Sequence, residues 1–518
     1  MPPDEAYARL EEQRLSRASF IRQSAAAGAM LAAAGCMPAI VTNGMRGSRI
    51  AIVGAGLAGM TCAYRLRRAG VACDVYEANS GAGGRTWTLR DFFDQGQIGE
   101  HGGEFISSEH VATRRLVAEM ELVLDDLRAA QPPRTEEFYF VHGARYPLAE
   151  VLRDYAAVYP ALKAAAAAAP SPTLYNRYTA AGAVLDAMSA RDWIERHVPG
   201  GIGSRLGFLL DLDCTTENGG DSSAQNALML IYMLAVMPGL TGHDAFYVVG
   251  TDERYRVRGG NDQIVERLAQ ALPAQSLHFG APLVALRRLA DGAYRCTFQS
   301  QLKTLDATYD HVVLALPFTT LRRVDLSGAG FGARKLKSIA ELPMGTNTKL
   351  HVQFKSRPWY ALGCFGHSYA DTGYQQTWEE SRAQAGRAGL LVNYTGGSAG
   401  ASFRAPSFAP AANDVTQSFL REVEPVFPGV GADWNGKAFL SYWTRDPWHR
   451  GSYSYYGVGQ CTSFVGVERE REGNAHFCGE HTSIQYQGFM NGAVETGEAA
   501  AREVLRSLGV HAGASRGG

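Results

Sequence analysis

The chain has 518 residues, too many for one ordinary core and suited to two domains that share an interface. Its composition, 46% hydrophobic and 19% charged, is that of a globular protein. A formal net charge of −1 removes any general electrostatic reason to expect nucleic acid or an acidic membrane as partner.

Arg14, Arg17 and Arg22 precede an uncharged, Ala-dominated run from Gln23 to Val41. Basic residues followed by small apolar ones are the layout of an export signal, and the weak hydrophobicity disfavours a permanent membrane span. Ser16 to Arg22 resembles a twin-arginine motif with Ala18 where the second arginine belongs. Ala33-Ala34-Gly35-Cys36 resembles a lipoprotein cleavage box without its leucine. Residues 1–46 are therefore read as a leader, implying a periplasmic or secreted protein, with membrane attachment only through that leader. A flexible leader on a cytoplasmic enzyme is the alternative. The eight cysteines, Cys36, Cys62, Cys73, Cys214, Cys296, Cys364, Cys461 and Cys478, contain no C-x-x-C pair. They form no Cys/His cluster at metal-ligand spacing, so neither a metal site nor a disulfide framework is expected, and buried small hydrophobes are.

Arg49 to Val53 is a short β-prone run, followed by Gly54-Ala55-Gly56-Leu57-Ala58-Gly59 and a helical stretch from Met60 to Ala69. Strand, glycine turn and helix in that order make a dinucleotide site. Gly54 allows the tight turn, Gly56 lets backbone approach a pyrophosphate, and Gly59 lets helix pack closely on strand, with the helix N-terminus facing phosphate. Val71 to Tyr76 supplies a second strand ending at Glu77, whose carboxylate can accept hydrogen bonds from an adenosine ribose. An acid there argues for an unphosphorylated ribose and leaves NAD or FAD.

Gly81-Ala82-Gly83-Gly84-Arg85-Thr86-Trp87-Thr88 resembles the G-G-R-x-x-T segment of the flavin amine oxidase family, which includes monoamine, polyamine and L-amino acid oxidases. The resemblance implies FAD, with the glycine pair close to the diphosphate and Arg85 supplying positive charge beside it. Glu100-His101-Gly102-Gly103-Glu104-Phe105 is similar to the family segment passing the isoalloxazine. Arg258 to Asp262 and Asp310 to Pro317 look like its returning flavin elements, and Ala281-Pro282-Leu283-Val284 like the strand whose valine meets adenine through backbone atoms. Phe477-Cys478-Gly479-Glu480-His481, with Gly488 to Val494, resembles the final flavin motif. There Gly479 and Glu480 are implied to approach the ribityl diphosphate, and a helix opening at Phe489 and Met490 to face the flavin carbonyl edge.

The implied fold is α/β: a Rossmann-like FAD-binding domain from discontinuous segments 47–107, 245–334 and 440–507, plus an α+β substrate-binding domain with a mixed sheet from 108–244 and 335–439. The latter reads as helical at 148–169 and 224–236, then as a strand carrying Lys349 and a Gly/Ser/Ala/Pro-rich loop over 395–412. Residues 508–518 read as a disordered tail.

The implied reaction is oxidative deamination: hydride passes from the amine-bearing carbon to flavin N5, and the imine is hydrolysed. Lys349 falls where a family lysine holds water near N5, although strand alternation alone favours a surface lysine. Trp443 to Tyr453 resembles the family's substrate wall and includes Trp448. Tyr453 and Phe489 match the pair that sandwiches substrate in monoamine oxidases, Phe489 replacing a tyrosine; aromatic faces can steer an amine. Ser452 replaces the cysteine that bonds covalently to flavin in monoamine oxidases, so FAD is expected to be non-covalent. Glu104 and Phe105 stand where L-amino acid oxidases commonly carry a carboxylate-binding arginine, favouring an amine without a carboxylate or a basic substrate. Arg258, Arg382 or Arg445 could bind a carboxylate from elsewhere, so an L-amino acid oxidase or dehydrogenase stays open. C–C dehydrogenation and a non-catalytic nucleotide-binding subunit also stay open, as do a homodimer and the choice of dioxygen or a respiratory carrier as electron acceptor.

Overall fold

Ile50–Val53 is apolar and buried at every position, as a strand covered on both faces must be. In the computed structural model, which describes residues 48–235, 252–300 and 303–510, it is the central strand of a five-stranded sheet. The order is Ala475–Phe477, His311–Leu314, Ile50–Val53, Asp74–Tyr76, Leu277–His278, all parallel. These strands come from all three segments expected to bind flavin. The expected leader falls outside the described residues, as does the expected disordered tail apart from residues 508–510.

The first helix, Leu57–Arg68, begins earlier than its apolar pattern suggests, because extended Gly56 (φ −74°, ψ 179°) leads straight into it. It packs on the C-terminal helix Met490–Ser507 at a glycine contact: a Cβ on Gly497 would lie 2.3 Å from the Ala58 carbonyl oxygen. Arg65 bridges Glu119 at 2.7 Å and Glu498 at 2.8 Å across this layer. The second strand is shorter than expected, pairing only over Asp74–Tyr76.

The other large sheet has eight strands in the order Phe408–Pro410, Trp434–Tyr442, Thr348–Phe354, Gly389–Thr395, Gln376–Glu379, Cys364–Ala370, Glu136–Val141, Ala144–Arg145. It is mixed: Cys364–Ala370 runs parallel to Glu136–Val141, and the remaining pairs are antiparallel. Every residue of Thr348–Phe354 is buried, so Lys349 points into the protein rather than to its surface. Helices Leu148–Ala168 and Ala227–Ala235 occupy the stretches expected to be helical.

The 395–412 stretch is more ordered than its composition suggests. It forms a short helix, Gly397–Ala401, and the edge strand Phe408–Pro410, which pairs with Phe439–Ser441. Pro410 fits because an edge strand has a side that needs no donor. Cys62, Cys214, Cys296, Cys364, Cys461 and Cys478 are buried with free thiols, and Cys73 is partly exposed. Among the described residues no helix is long and apolar enough to cross a membrane.

Gly497→Leu would drive a side chain into the Ala58 backbone. It is expected to cost about 1–3 kcal/mol by overpacking and to lower the thermal midpoint; an unchanged midpoint would show that the helix crossing tolerates separation.

Candidate active site

Two glycine turns are stitched together at the mouth of the parallel sheet. Gly54 has φ +106°, and a Cβ there would sit 2.6 Å from the Ala315 carbonyl oxygen, so only glycine turns tightly enough. Gly59 serves packing alone, since its Cβ would lie 2.0 Å from the Gly54 carbonyl oxygen. A Cβ on Gly56, in contrast, would meet only the Gly84 Cα at 3.9 Å. The space beside Gly56 and Gly84 is the wall of a cavity of about 1090 Å³, which the N-terminal residues Leu57 and Ala58 of the first helix also line. The Gly83 N–H donates to the Ala55 carbonyl at 3.0 Å and joins the turns. Glu77 closes this end, accepting from the backbone N–H groups of Ala55 and Asn79, each at 2.8 Å.

Arg85 donates to Glu480 at 2.8 Å and to the Ser452 carbonyl at 2.7 Å. Burial opposes ionisation of Glu480, but Arg85 beside it and the Ser454 hydroxyl hold its carboxyl below the usual range. Gly479, Glu480, Phe489 and Met490 line the same cavity, with the Met490–Ser507 helix opening onto it, so both helix N-termini offer unpaired N–H groups there. Val284 lies at a bulge, where strand pairing skips from Leu283 to Ala285, and its carbonyl accepts from the Asp325 N–H.

Lys349 enters from the eight-stranded sheet. Its ammonium donates to the Glu100 and Gly102 carbonyls, each at 3.0 Å, and to Glu104 at 2.9 Å. Glu104 also accepts from Trp378 Nε1 at 3.0 Å, and burial keeps its carboxyl raised despite Lys349. Gly102 has no room for a Cβ, which would lie 1.9 Å from the Arg85 carbonyl oxygen.

Tyr453 lines the cavity, its hydroxyl 2.8 Å from that of Tyr394 and donating to the Glu217 carbonyl at 2.8 Å. The Tyr394 ring in turn lies 4.8 Å from that of Trp378, and the Phe489 ring stands 5.1 Å from His110. Trp448 is 38% exposed and lines the cavity at its rim. Every expected site residue except Gly59 therefore borders one cavity. Sequence reasoning missed Tyr394, Trp378, Gln376, Glu217 and Glu253, which also line it. Their only signal is spatial.

Burial raises Glu217 to about 7. Burial and the neighbouring charge of Glu217 raise Glu253 to about 8.

A family model described as flavin containing amine oxidoreductase matches residues 57–505. The nicotine dehydrogenase of Pseudomonas putida is 25% identical, over 95% of this chain and 98% of its own length. The L-amino-acid oxidase of Bungarus fasciatus is 22% identical, over 90% of this chain and 89% of its own. Cyclohexylamine oxidase from Brevibacterium oxydans IH-35A superposes with a TM-score of 0.75 at 21% identity, over 89% of this chain and 99% of that one, a likeness of fold.

Because Glu217 and Glu253 bind protons more tightly when folded than at the unfolded value of about 4.3, the folded state holds more protons between those limits. Stability contributed by these groups must fall as pH rises through that interval. The thermal midpoint of the flavin-free protein is expected to drop between about pH 5 and about pH 8, with a shallower slope in Glu217→Gln. An identical slope in that variant would remove Glu217 as a cause.

Proposed function

The chain belongs to the flavin-containing amine oxidoreductases, and on that premise we propose that it oxidises a small-molecule amine with FAD held non-covalently. This function rests on one meeting in space: glycine turns and helix N-termini suited to a dinucleotide share a cavity with Lys349 and the Tyr394–Tyr453 pair. Bound there, FAD supplies N5 as acceptor for the hydride leaving the amine-bearing carbon. Gly54, Gly56, Gly84 and Arg85 would hold the diphosphate, Glu77 the ribose, Val284 the adenine, and Gly102, Gly479, Glu480 and Met490 the flavin half. Tyr453 and Tyr394 would orient the neutral amine, with Phe489 and the rim residue Trp448 closing the wall.

Lys349 fixes the Gly102 main chain and neutralises Glu104. All three of its N–H bonds are engaged, so it would organise water for imine hydrolysis by exchanging one of them.

Non-covalent attachment is supported by Ser452, whose hydroxyl donates to Asn347 Oδ1 at 2.7 Å. Cys461, a cysteine on the cavity wall, has its thiol pushed far up by burial and by the charge of Asp186, which makes it a poor nucleophile. An amine without a carboxylate is favoured because Arg258, Arg382 and Arg445 all lie off the cavity wall. Arg258 pairs with Asp125 and Arg382 donates to the Glu379 carbonyl. Of the lining arginines, Arg85 is engaged by Glu480, and Arg323 sits beside the segment bonded to Val284. Electrons would pass to dioxygen or a respiratory acceptor, in the periplasm or outside the cell if the leader acts as an export signal.

The test is anaerobic bleaching of the purified yellow protein by alkyl, aryl and cyclic amines, with air readmitted afterwards. Bleaching by amines is expected, recolouring in air marks an oxidase, and a spectrum left oxidised by every amine sinks the proposal. Acid or heat should release free FAD. Lys349→Met, with FAD retained, is expected to slow bleaching by roughly a hundredfold through lost positioning.

A further inference from the structure

The cofactor side of the cavity is charge-paired, and the remaining wall is acidic. Glu217, near the end of helix Arg205–Asn218, and Glu253, just before strand Tyr255–Val257, line the cavity with Tyr394 and Tyr453. Among the described residues neither has a cation at ion-pair distance. Glu217 accepts a long 3.3 Å bond from Gln376 Nε2, and Glu253 is eased only by the more distant charge of Arg382. The charges of Glu104 and Glu137 raise Glu253 further.

Two further observations concern this wall, the first pointing to a missing donor. Gln376 is 3% exposed and borders the cavity, yet its Oε1 has no hydrogen-bond partner, an arrangement that costs free energy until a donor arrives. Glu253 is held at φ +42°, a strained placement for a residue with a side chain. Desolvated carboxylates beside an unpartnered amide oxygen make a receptor for a group that carries positive charge and several N–H bonds. An ammonium supplies three.

We propose that the substrate carries a second protonated nitrogen and no carboxylate, the second nitrogen being received by Glu217, Glu253 and Gln376 Oε1 while the first reacts beside Tyr394 and Tyr453. The proposal rests on the cavity being an amine-oxidising site and narrows its substrate to small diamines. The aromatic faces of Trp378 and Tyr394 favour the same cation. A carboxylate on the molecule would meet two carboxyl groups on this wall with no cation at ion-pair distance from either among the described residues.

The test titrates the holoenzyme anaerobically with 1,4-diaminobutane, 1-aminobutane and L-lysine, reading flavin bleaching. The diamine is expected to half-saturate at a concentration at least roughly tenfold below that of the monoamine, the scale of one charge-assisted hydrogen bond. Glu217→Gln and Glu253→Gln should each shrink that preference by roughly tenfold, acting on half-saturation more than on the rate at saturation. Equal half-saturation by the two amines, an unchanged preference in both variants, or L-lysine as the tightest substrate would overturn it. If no amine bleaches the flavin, the amine-oxidation function fails separately, and calorimetric titration with 1,4-diaminobutane still decides the site. Binding that weakens in Glu217→Gln would support it, and no binding would overturn it.

Discussion

Burying the Lys349 ammonium between the eight-stranded sheet and the segment Glu100–Glu104 sets conditions that the surrounding residues meet. The cation needs a counter-ion, and Glu104 provides it at 2.9 Å. It needs two more acceptors, and the carbonyls of Glu100 and Gly102 turn inward to supply them. Gly102 can do so only without a side chain, because the Arg85 backbone lies directly against it. Glu104 in turn draws Trp378 into place and has the buried Arg256 at 3.7 Å, with Arg256 itself held by the Glu380 carbonyl. A buried pair of this kind adds little net stability, but loss of one partner strands the other, so the arrangement acts mainly as a register between the two sheets.

A second buried polar group extends this register. His351 bonds Glu380 at 2.7 Å and reaches Ser441 at 3.1 Å, while His101 meets the same Ser441 hydroxyl at 2.8 Å. Glu100 is raised to about 8 by burial and by Asp262, and it accepts from the Asn261 N–H and the Thr88 hydroxyl. These groups tie the glycine-rich segment to both sheets by directional contacts, which slide less readily than apolar packing. They also sort the charge. Around the glycine turns each acid has a cation or backbone N–H groups, as Glu480 and Glu77 do, whereas Glu217 and Glu253 have no cation at ion-pair distance among the described residues and are raised to about 7 and about 8 by burial.

The dinucleotide turn is legible because its requirements are local. Gly59 answers to the Gly54 carbonyl five residues away and Gly54 to Ala315 at the end of the adjoining strand, and Glu77 closes the next strand in sequence. The buried position of Lys349 was less legible, since a strand covered on both faces does not show the alternation that places a lysine outside. The 395–412 stretch misled through composition: its small residues allow close approach, with a Cβ on Gly400 falling 2.4 Å from the Thr346 carbonyl oxygen.

The sequence by itself determined the flavin class of cofactor, the parallel sheet that presents it and a set of residues all but one of which border the cavity, because glycine spacing and strand ends act over short stretches of chain. Tertiary structure alone decided that the Tyr394 hydroxyl meets that of Tyr453, and that Glu217, Glu253 and Gln376 converge from separate elements on one wall. A carboxylate's role depends on which charges face it after folding, and residues far apart in sequence carry no local mark of that meeting.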